Sequence, residues 1–132
     1  MKVTVDTNVL VRAVVRDDAN QASAAEAVLK EASLIAVSLP CLCEFVWVLH
    51  RAYGFDQTTI AGAVRALLTT GNVVMNRPAA EAGLSLLEAG GDFADGVIAY
   101  EGNWYGGETF VSFDRKAVTL LSEQGEAARL LI

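Results

Sequence analysis

Acidic residues follow two of the segments that the sequence predicts to be buried strands. Asp6 comes directly after the β-branched segment 2–5, and Asp114 follows the segment 109–112. Ligands of open α/β sheets bind beyond the carboxyl ends of the strands, so we expect the two acids to lie in one crevice. Carboxylate oxygens gathered there would suit a hard cation such as Mg²⁺ or Mn²⁺.

Further acids are candidates for the same chemistry. Glu44 lies in the apolar run 41–49, and no Lys or Arg occurs between residues 31 and 50. A buried Glu44 carboxylate would therefore need a partner from elsewhere in the fold, or a metal ion. Asp92 and Asp95 are three residues apart at the start of a predicted helix, so we expect them on one face near its positive end.

Each acid also has an ordinary structural explanation. Asp6, Asp92 and Asp114 precede predicted helices, where aspartate commonly serves as the N-cap. Glu44 could face solvent on a partly exposed helix, and Asp95 could complement the dipole of its helix. The combination favours a metal site, because N-caps need not fall at the ends of strands that are expected to share a crevice.

The elements that must position these acids alternate between short strands and helices. Strands are predicted at 2–5, 34–37, 72–75, 109–112 and 128–132. Helices are predicted at 9–15, 20–32, 40–53, 57–70, 78–89, 92–103 and 115–123. Apolar strands that alternate with helices predict a parallel sheet in an α/β sandwich, with strands buried on both faces.

The composition limits the functions that are open to the chain. Its 132 residues fit one domain spanning 1–132, and 53% hydrophobic with 20% charged residues excludes disorder. A net charge of −6 argues against binding nucleic acid through a general positive field, although a metal could supply positive charge locally. An acid at position 6 argues against a secretory signal, and no apolar run is long enough to span a membrane, so we expect a soluble cytoplasmic protein.

Four segments together carry a resemblance to a known family: DTNVL at 6–10, Glu44, DFADGVIA at 92–99 and VSFD at 111–114. In this order and spacing, the chain resembles the PIN-domain ribonucleases, and most of all the VapC-type toxins of bacterial toxin–antitoxin pairs. The resemblance covers essentially the whole chain. It implies a three-layer α/β/α sandwich with a central parallel sheet of four or five strands.

The resemblance also implies an activity and a set of site residues. The activity is hydrolysis of RNA phosphodiester bonds by a metal-activated water, with Mg²⁺ or Mn²⁺ as cofactor and with 5′-phosphate and 3′-hydroxyl products. The residues matching the catalytic and metal-binding acids are Asp6, Glu44, Asp95 and Asp114, with Asp92 close by. Thr7, Asn8 and Ser112 match the polar positions that support these acids.

Two positions depart from the family pattern. Gly96 stands where alanine is usual, and Ser112 stands where threonine is usual. Neither change removes a metal ligand. We expect Gly96 to loosen the helix at the site, since glycine is less favourable than alanine in a helix by about 1 kcal/mol.

The predicted binding partners rest partly on the basic and aromatic residues and partly on the family resemblance. Arg12 and Arg16 follow the Asp6 turn, and Arg115 and Lys116 follow Asp114. We expect some of these four to hold RNA phosphates. Solvated helix faces are the alternative for each. Trp47, Trp104 and Tyr105 could stack on bases, but packing in a core or interface is favoured. The family implies a homodimer and a cognate antitoxin that covers the crevice, with apolar helix faces in 20–70 as candidate contacts.

Rival functions fit the same residues less well. A phosphatase with an aspartate nucleophile needs a second Asp at position 8, which is Asn8. A phospho-acceptor receiver domain would account for Lys116 after Asp114, but the paired acids it requires are absent. A catalytically silent PIN-like binding module is a third alternative, against which the presence of all four acids argues.

Overall fold

In the computed structural model, which describes residues 1–132, seven helices and five strands alternate along the chain. The chain divides into two units, Met1–Asn76 (unit 1) and Arg77–Ile132 (unit 2). Unit 1 contains β1 (Lys2–Thr4), α1 (Thr7–Val15), α2 (Ala19–Glu31), β2 (Leu34–Ala36), α3 (Leu39–Arg51), α4 (Gln57–Thr69) and β3 (Val73–Val74). Unit 2 contains α5 (Arg77–Glu88), α6 (Phe93–Trp104), β4 (Phe110–Ser112), α7 (Arg115–Glu123) and β5 (Ala128–Leu130). Every predicted element is present, and each begins within two residues of its predicted start.

Short polar side chains determine where the helices of unit 1 begin. Asp18, Ser38 and Asp56 each accept a hydrogen bond from the backbone N–H three residues later, at 3.0, 3.3 and 2.8 Å. These N-caps satisfy a backbone donor that has no partner inside the helix. Helix α1 begins at Thr7, two residues before the predicted start, because Asp6 caps it in the same way.

The sheet of unit 1 contains three parallel strands in the order β1-β2-β3. Ile35 in β2 lies opposite Val3 on one side and Val73 on the other. Helix α1 packs against α2 and α3, and α3 packs against α4. The largest fully buried side chains of this unit are Leu10, Val11, Ile35, Leu42, Phe45, Leu49, Ile60 and Val64. Because β1 and β2 are parallel, the turn before α1 and the start of α3 lie at the same edge of the sheet.

In unit 2, two glycines allow α5 and α6 to pack closely. A Cβ atom on Gly96 would lie 2.5 Å from the carbonyl oxygen of Ala82 and 2.8 Å from the Cα of Gly83. A Cβ atom on Gly83 would lie 2.8 Å from the ring of Phe93. The missing side chain of Gly96 is therefore what lets the two helices approach each other, while the expectation that glycine loosens α6 stays a prediction.

The remaining part of unit 2 is a parallel pair of strands with a helix packed on it. Val111 of β4 lies opposite Arg129 of β5, and α7 packs against both strands. The α/β class, the five strands and their parallel direction agree with the prediction. Hydrogen bonds link the strands as a group of three in unit 1 and a group of two in unit 2, where one central sheet was expected. Strands of two or three residues offer few backbone groups for further pairing.

Three further predictions about the fold have different outcomes. Val74 and Val111 are 52% and 51% exposed, so the prediction that the strands are buried on both faces is wrong at these positions. The reason is that such short strands leave alternate side chains outside the core. No helix combines the length and apolar character needed to cross a membrane. That residues 1–132 form a single domain stays a prediction.

Candidate active site

Asp6 lies in the turn between β1 and α1 of unit 1. The backbone N–H of Val9 donates a hydrogen bond to Asp6 Oδ1 at 3.3 Å, which confirms Asp6 as an N-cap. The Asp6 side chain is exposed, and its second oxygen makes no hydrogen bond or ion pair with the protein. Since a carboxylate has two oxygens, capping the helix and binding a cation are compatible roles.

Thr7 is the only buried polar residue, and it ties the Asp6 turn to α3. Only 8% of Thr7 is exposed, and its side chain is hydrogen-bonded to the thiol of Cys41 in the first turn of α3. Burial is the main cause that raises the pKa of the Cys41 thiol, and the hydrogen bond with Thr7 opposes it. The charges of Asp6 and Glu44 add to the increase in pKa, so both carboxylates lie near the same thiol.

Glu44 lies on α3, three residues after Cys41, and it faces solvent. The buried positions of α3 form a stripe that includes Leu42, Phe45 and Leu49, whereas Glu44 and Trp47 lie outside it. An exposed carboxylate needs no buried partner. The apolar run therefore reflects one buried helix face, and the solvent-facing alternative for Glu44 is correct.

Asp92 and Asp114 begin the two helices of unit 2 that carry candidate acids. Asp92 Oδ1 accepts a hydrogen bond from Ala94 N–H at 3.1 Å, and Asp114 Oδ1 accepts one from Ala117 N–H at 3.1 Å. Both residues are therefore N-caps, as the ordinary explanation predicted. In each, as in Asp6, the second carboxylate oxygen has no hydrogen bond or ion pair within the protein.

Asp95 lies in the first turn of α6, three residues after Asp92, and is partly buried. Burial raises the pKa of Asp95 above its ordinary value of 3.8, and the nearby charges of Asp92 and Asp114 raise it further. Asp92 and Asp114 therefore both repel the ionised form of Asp95 within unit 2. The sequence predicted a raised pKa for at least one clustered acid, and Asp95 confirms it.

The polar residues predicted to support the acids have three different surroundings. The Thr7 side chain is hydrogen-bonded to Cys41, and the Ser112 hydroxyl accepts a hydrogen bond from the backbone N–H of Asp114 at 2.9 Å. Asn8 is exposed and makes no hydrogen bond to an acidic side chain. It lines a groove between α1 and α2 instead.

The acids of both units fall within one family pattern. The sequence pattern that defines the PIN domain matches residues 3–119, a range that includes Asp6, Glu44, Asp92, Asp95 and Asp114. The chain belongs to the PIN-domain family. A search among curated proteins finds no match. Membership supports nuclease activity in general terms, and PIN domains generally use divalent metal ions.

The donor atoms of this PIN domain fit such an ion chemically. Unit 1 offers the carboxylates of Asp6 and Glu44, and unit 2 offers those of Asp92, Asp95 and Asp114. Neither unit by itself brings three or more His, Cys, Asp or Glu side chains into an arrangement that could hold a metal. All five donors are hard oxygen ligands, the type preferred by Mg²⁺ and Mn²⁺.

Arg12, one of the predicted RNA contacts, belongs to a polar network inside unit 1. Its guanidinium donates hydrogen bonds to Gln21 Oε1 at 2.7 Å, to Asp17 Oδ1 at 2.8 Å and to the Tyr53 hydroxyl oxygen at 3.0 Å. The Tyr53 hydroxyl in turn donates to Asp17 Oδ2 at 3.0 Å. The hydrogen bond from Tyr53, together with Arg12, lowers the pKa of Asp17.

The other three predicted RNA contacts differ in whether an acidic side chain of the protein pairs with their charge. Arg16 forms an ion pair with Glu26 at 2.9 Å, and Glu26 also pairs with Lys30 at 2.9 Å. Arg115 and Lys116 are exposed at the start of α7 and form no ion pair. Of the four predicted RNA contacts, only Arg115 and Lys116 therefore have positive charge that no ion pair matches.

The aromatic residues are more exposed than the sequence predicted. Four are largely exposed, namely Trp47, Trp104, Tyr105 and Phe113, at 61%, 77%, 76% and 78%. Trp47, Trp104 and Tyr105 therefore do not pack in the core of the chain, and packing in an interface stays a prediction. Phe113 is not among the functional residues that the sequence predicted. The available signal was an aromatic ring between Ser112 and Asp114, directly after a strand.

Proposed function

We propose that this PIN domain is a metal-dependent endoribonuclease and a VapC-type toxin. The observation that carries the proposal is that these acidic side chains keep carboxylate oxygens without a protein partner and that one of them, Asp95, has a raised pKa. Asp6 and Asp114 follow β1 and β4, and each keeps one carboxylate oxygen without a protein partner. Asp95 is partly buried beside two other carboxylates, which raises its pKa. A divalent cation would relieve this repulsion, and it would favour the ionised form of Asp95.

The proposed roles of the acids follow from charge. Asp6 and Asp95 would be the main ligands of Mg²⁺ or Mn²⁺, and Asp114 and Glu44 would complete the coordination directly or through water. Such an ion would lower the pKa of a bound water and would stabilise the charge on the scissile phosphate. Asp92 or Glu44 would accept a hydrogen bond from the attacking water and so orient it. The helix caps hold Asp6, Asp92 and Asp114 in position through their other oxygens.

RNA binding near these acids requires local positive charge, because the chain carries a net charge of −6. We propose that Arg115 and Lys116 contact the phosphates, since both are exposed and have no ion-pair partner. The charges of Arg12 and Arg16 are already matched by Asp17 and Glu26. We therefore no longer assign Arg12 and Arg16 to the substrate.

We further propose a homodimer and a cognate antitoxin, as VapC-type toxins have. A groove of about 360 Å³ between α1 and α2 supports a peptide contact in unit 1, because its lining is largely apolar and includes Asn8, two residues from Asp6. Its lining residues are Asn8, Val9, Arg12, Gln21, Ala24, Ala25 and Val28. If the reading frame immediately upstream encodes the antitoxin, its product should copurify with the chain and prevent RNA cleavage.

RNA cleavage by the purified chain tests the nuclease proposal. With Mn²⁺ we expect cleavage of structured RNAs to 5′-phosphate and 3′-hydroxyl ends, and with EDTA we expect none. Asp6→Asn and Asp95→Asn should each lower the rate by about 100-fold or more, because metal-assisted charge stabilisation contributes several kcal/mol. Glu108→Gln is the matched control, since it removes an exposed acid outside the proposed site.

Two outcomes would contradict the proposal. Cleavage that persists in both asparagine variants would show that the acids are wrongly assigned. Release of phosphate from a small phosphomonoester, without RNA cleavage, would indicate a phosphatase instead.

A further inference from the structure

Phe113 is an exposed aromatic residue next to a candidate catalytic acid. It is 78% exposed and lies between Ser112, the last residue of β4, and Asp114, the N-cap of α7. Its ring is not stacked on another aromatic ring of the protein. Phenylalanine has no polar atom that could bond to water, so burying the exposed ring against another molecule is favourable.

The backbone on both sides of Phe113 is fixed. Leu131 N–H donates to the carbonyl oxygen of Ser112 at 2.8 Å, and Asp114 N–H donates to Ser112 Oγ at 2.9 Å. Asp114 is held in turn by the hydrogen bond that it accepts from Ala117 N–H. A ring that projects from such a turn loses little conformational freedom when it contacts a ligand.

Unmatched positive charge follows the ring directly. Arg115 and Lys116 are both exposed and form no ion pair. Proteins that bind single-stranded nucleic acid combine an aromatic ring, on which a base stacks, with cations that contact the phosphates. Residues 113–116 of this chain contain both components within four positions.

We propose that Phe113 stacks on an unpaired base of the RNA next to the phosphate that is cleaved, while Arg115 and Lys116 contact neighbouring phosphates. The inference rests on the proposed nuclease function and specifies its substrate as single-stranded at this position. A base fits better than a protein partner, because the residues that flank the ring are polar or charged. Protein interfaces instead bury a core of apolar residues.

Cleavage kinetics with a single-stranded oligoribonucleotide test the inference. In Mn²⁺, we expect Phe113→Leu and Phe113→Ala to raise KM by about 5- to 150-fold, because stacking on one base contributes about 1–3 kcal/mol and each 1.4 kcal/mol is tenfold. Phe113→Tyr keeps a stacking face and should stay within about twofold of the wild type. An RNA carrying 2-aminopurine should lose fluorescence on binding to the wild type, but not to Phe113→Leu.

Two controls accompany these variants. Val14→Ala removes an exposed apolar side chain from the last turn of α1, outside the proposed site, and KM should remain unchanged. Thermal melting of each variant checks folding, which should persist because the ring is exposed.

The outcomes separate this inference from the nuclease proposal. If Phe113→Leu cleaves RNA with wild-type KM, the stacking contact is overturned while the nuclease function stands. If leucine restores what alanine loses, the contact is apolar docking, and stacking is again overturned. If the wild type cleaves no RNA in Mn²⁺, the nuclease proposal fails and the stacking inference fails with it.

Discussion

The two units differ in what their cations do. In unit 1, Arg12 pairs with Asp17 and Arg16 pairs with Glu26, so these positive charges are matched within the fold. In unit 2, Arg115 and Lys116 follow Asp114 and have no ion-pair partner. Arg12 and Arg16 follow Asp6 by six and ten residues, and Arg115 and Lys116 follow Asp114 by one and two. The difference teaches that the pairing of a cation in the fold, rather than its position in the chain, decides whether it remains available to a phosphate.

The units also hold their acids differently. In unit 1, the buried Thr7 links the Asp6 turn to Cys41 on α3, and Asp6 and Glu44 themselves are exposed. In unit 2, Asp95 is partly buried on a helix that approaches α5 closely, and two other carboxylates face it. Repulsion between carboxylates therefore acts on Asp95 in unit 2, and substitutions there should change stability in a way that depends on pH.

The largest effect on stability should come from the close helix contact of unit 2. Gly96→Ala would force its Cβ against the backbone of Ala82 and Gly83, and such overpacking typically lowers stability by about 1–3 kcal/mol. Gly102→Ala, in the same helix but with open space around it, should instead raise stability by up to about 1 kcal/mol. Urea unfolding measures both. Equal effects of the two substitutions would show that the contact at Gly96 does not constrain α6.

The next largest effect should distinguish the two kinds of cation. Arg115→Gln and Lys116→Gln should each weaken RNA binding severalfold and reduce the slope of log affinity against log salt by about 1. Arg16→Gln removes the same charge from an ion pair and should leave that slope unchanged. Fluorescence titration with a labelled RNA at several salt concentrations provides the measurement. A reduced slope for Arg16→Gln would mean that its pairing with Glu26 is broken when RNA binds.

The smallest effect concerns the dependence of stability on pH. Because the folded state raises the pKa of Asp95, the folded protein binds this proton more tightly than the unfolded chain does. The contribution of Asp95 to stability therefore falls as the pH rises from the ordinary value of 3.8 through the raised pKa. In EDTA, Asp95→Asn should melt a few degrees above the wild type at pH 7, with a smaller difference near pH 4.

Other titrating carboxylates do not affect the difference in melting temperature between Asp95→Asn and the wild type. Asp17 and Glu26 have lowered pKa values, so their contributions grow as the pH rises above their folded-state pKa values. Both residues are present in the wild type and in Asp95→Asn, and their effects cancel in the difference. A variant that melts below the wild type at pH 7 would contradict the repulsion inferred for Asp95.

Much of the fold was predictable because its signals are local. The short β-branched segments, the helical spacing of apolar residues and the polar caps act within a few residues of each other, and they placed every element within two residues of its start. The same local chemistry predicted Asp6, Asp92 and Asp114 as caps. The four motifs also identified the family, which the match over residues 3–119 established.

What the sequence by itself determined was therefore the order of the elements, the caps and the acids that follow the strands. Only the tertiary structure decided that Glu44 faces solvent, that Arg12 and Arg16 are paired, that Gly96 is a helix contact and that Phe113 is exposed. The physical reason is that exposure, ion pairing and close packing depend on which residues the fold brings next to one another. The type of a residue and its immediate neighbours in the chain do not specify those contacts.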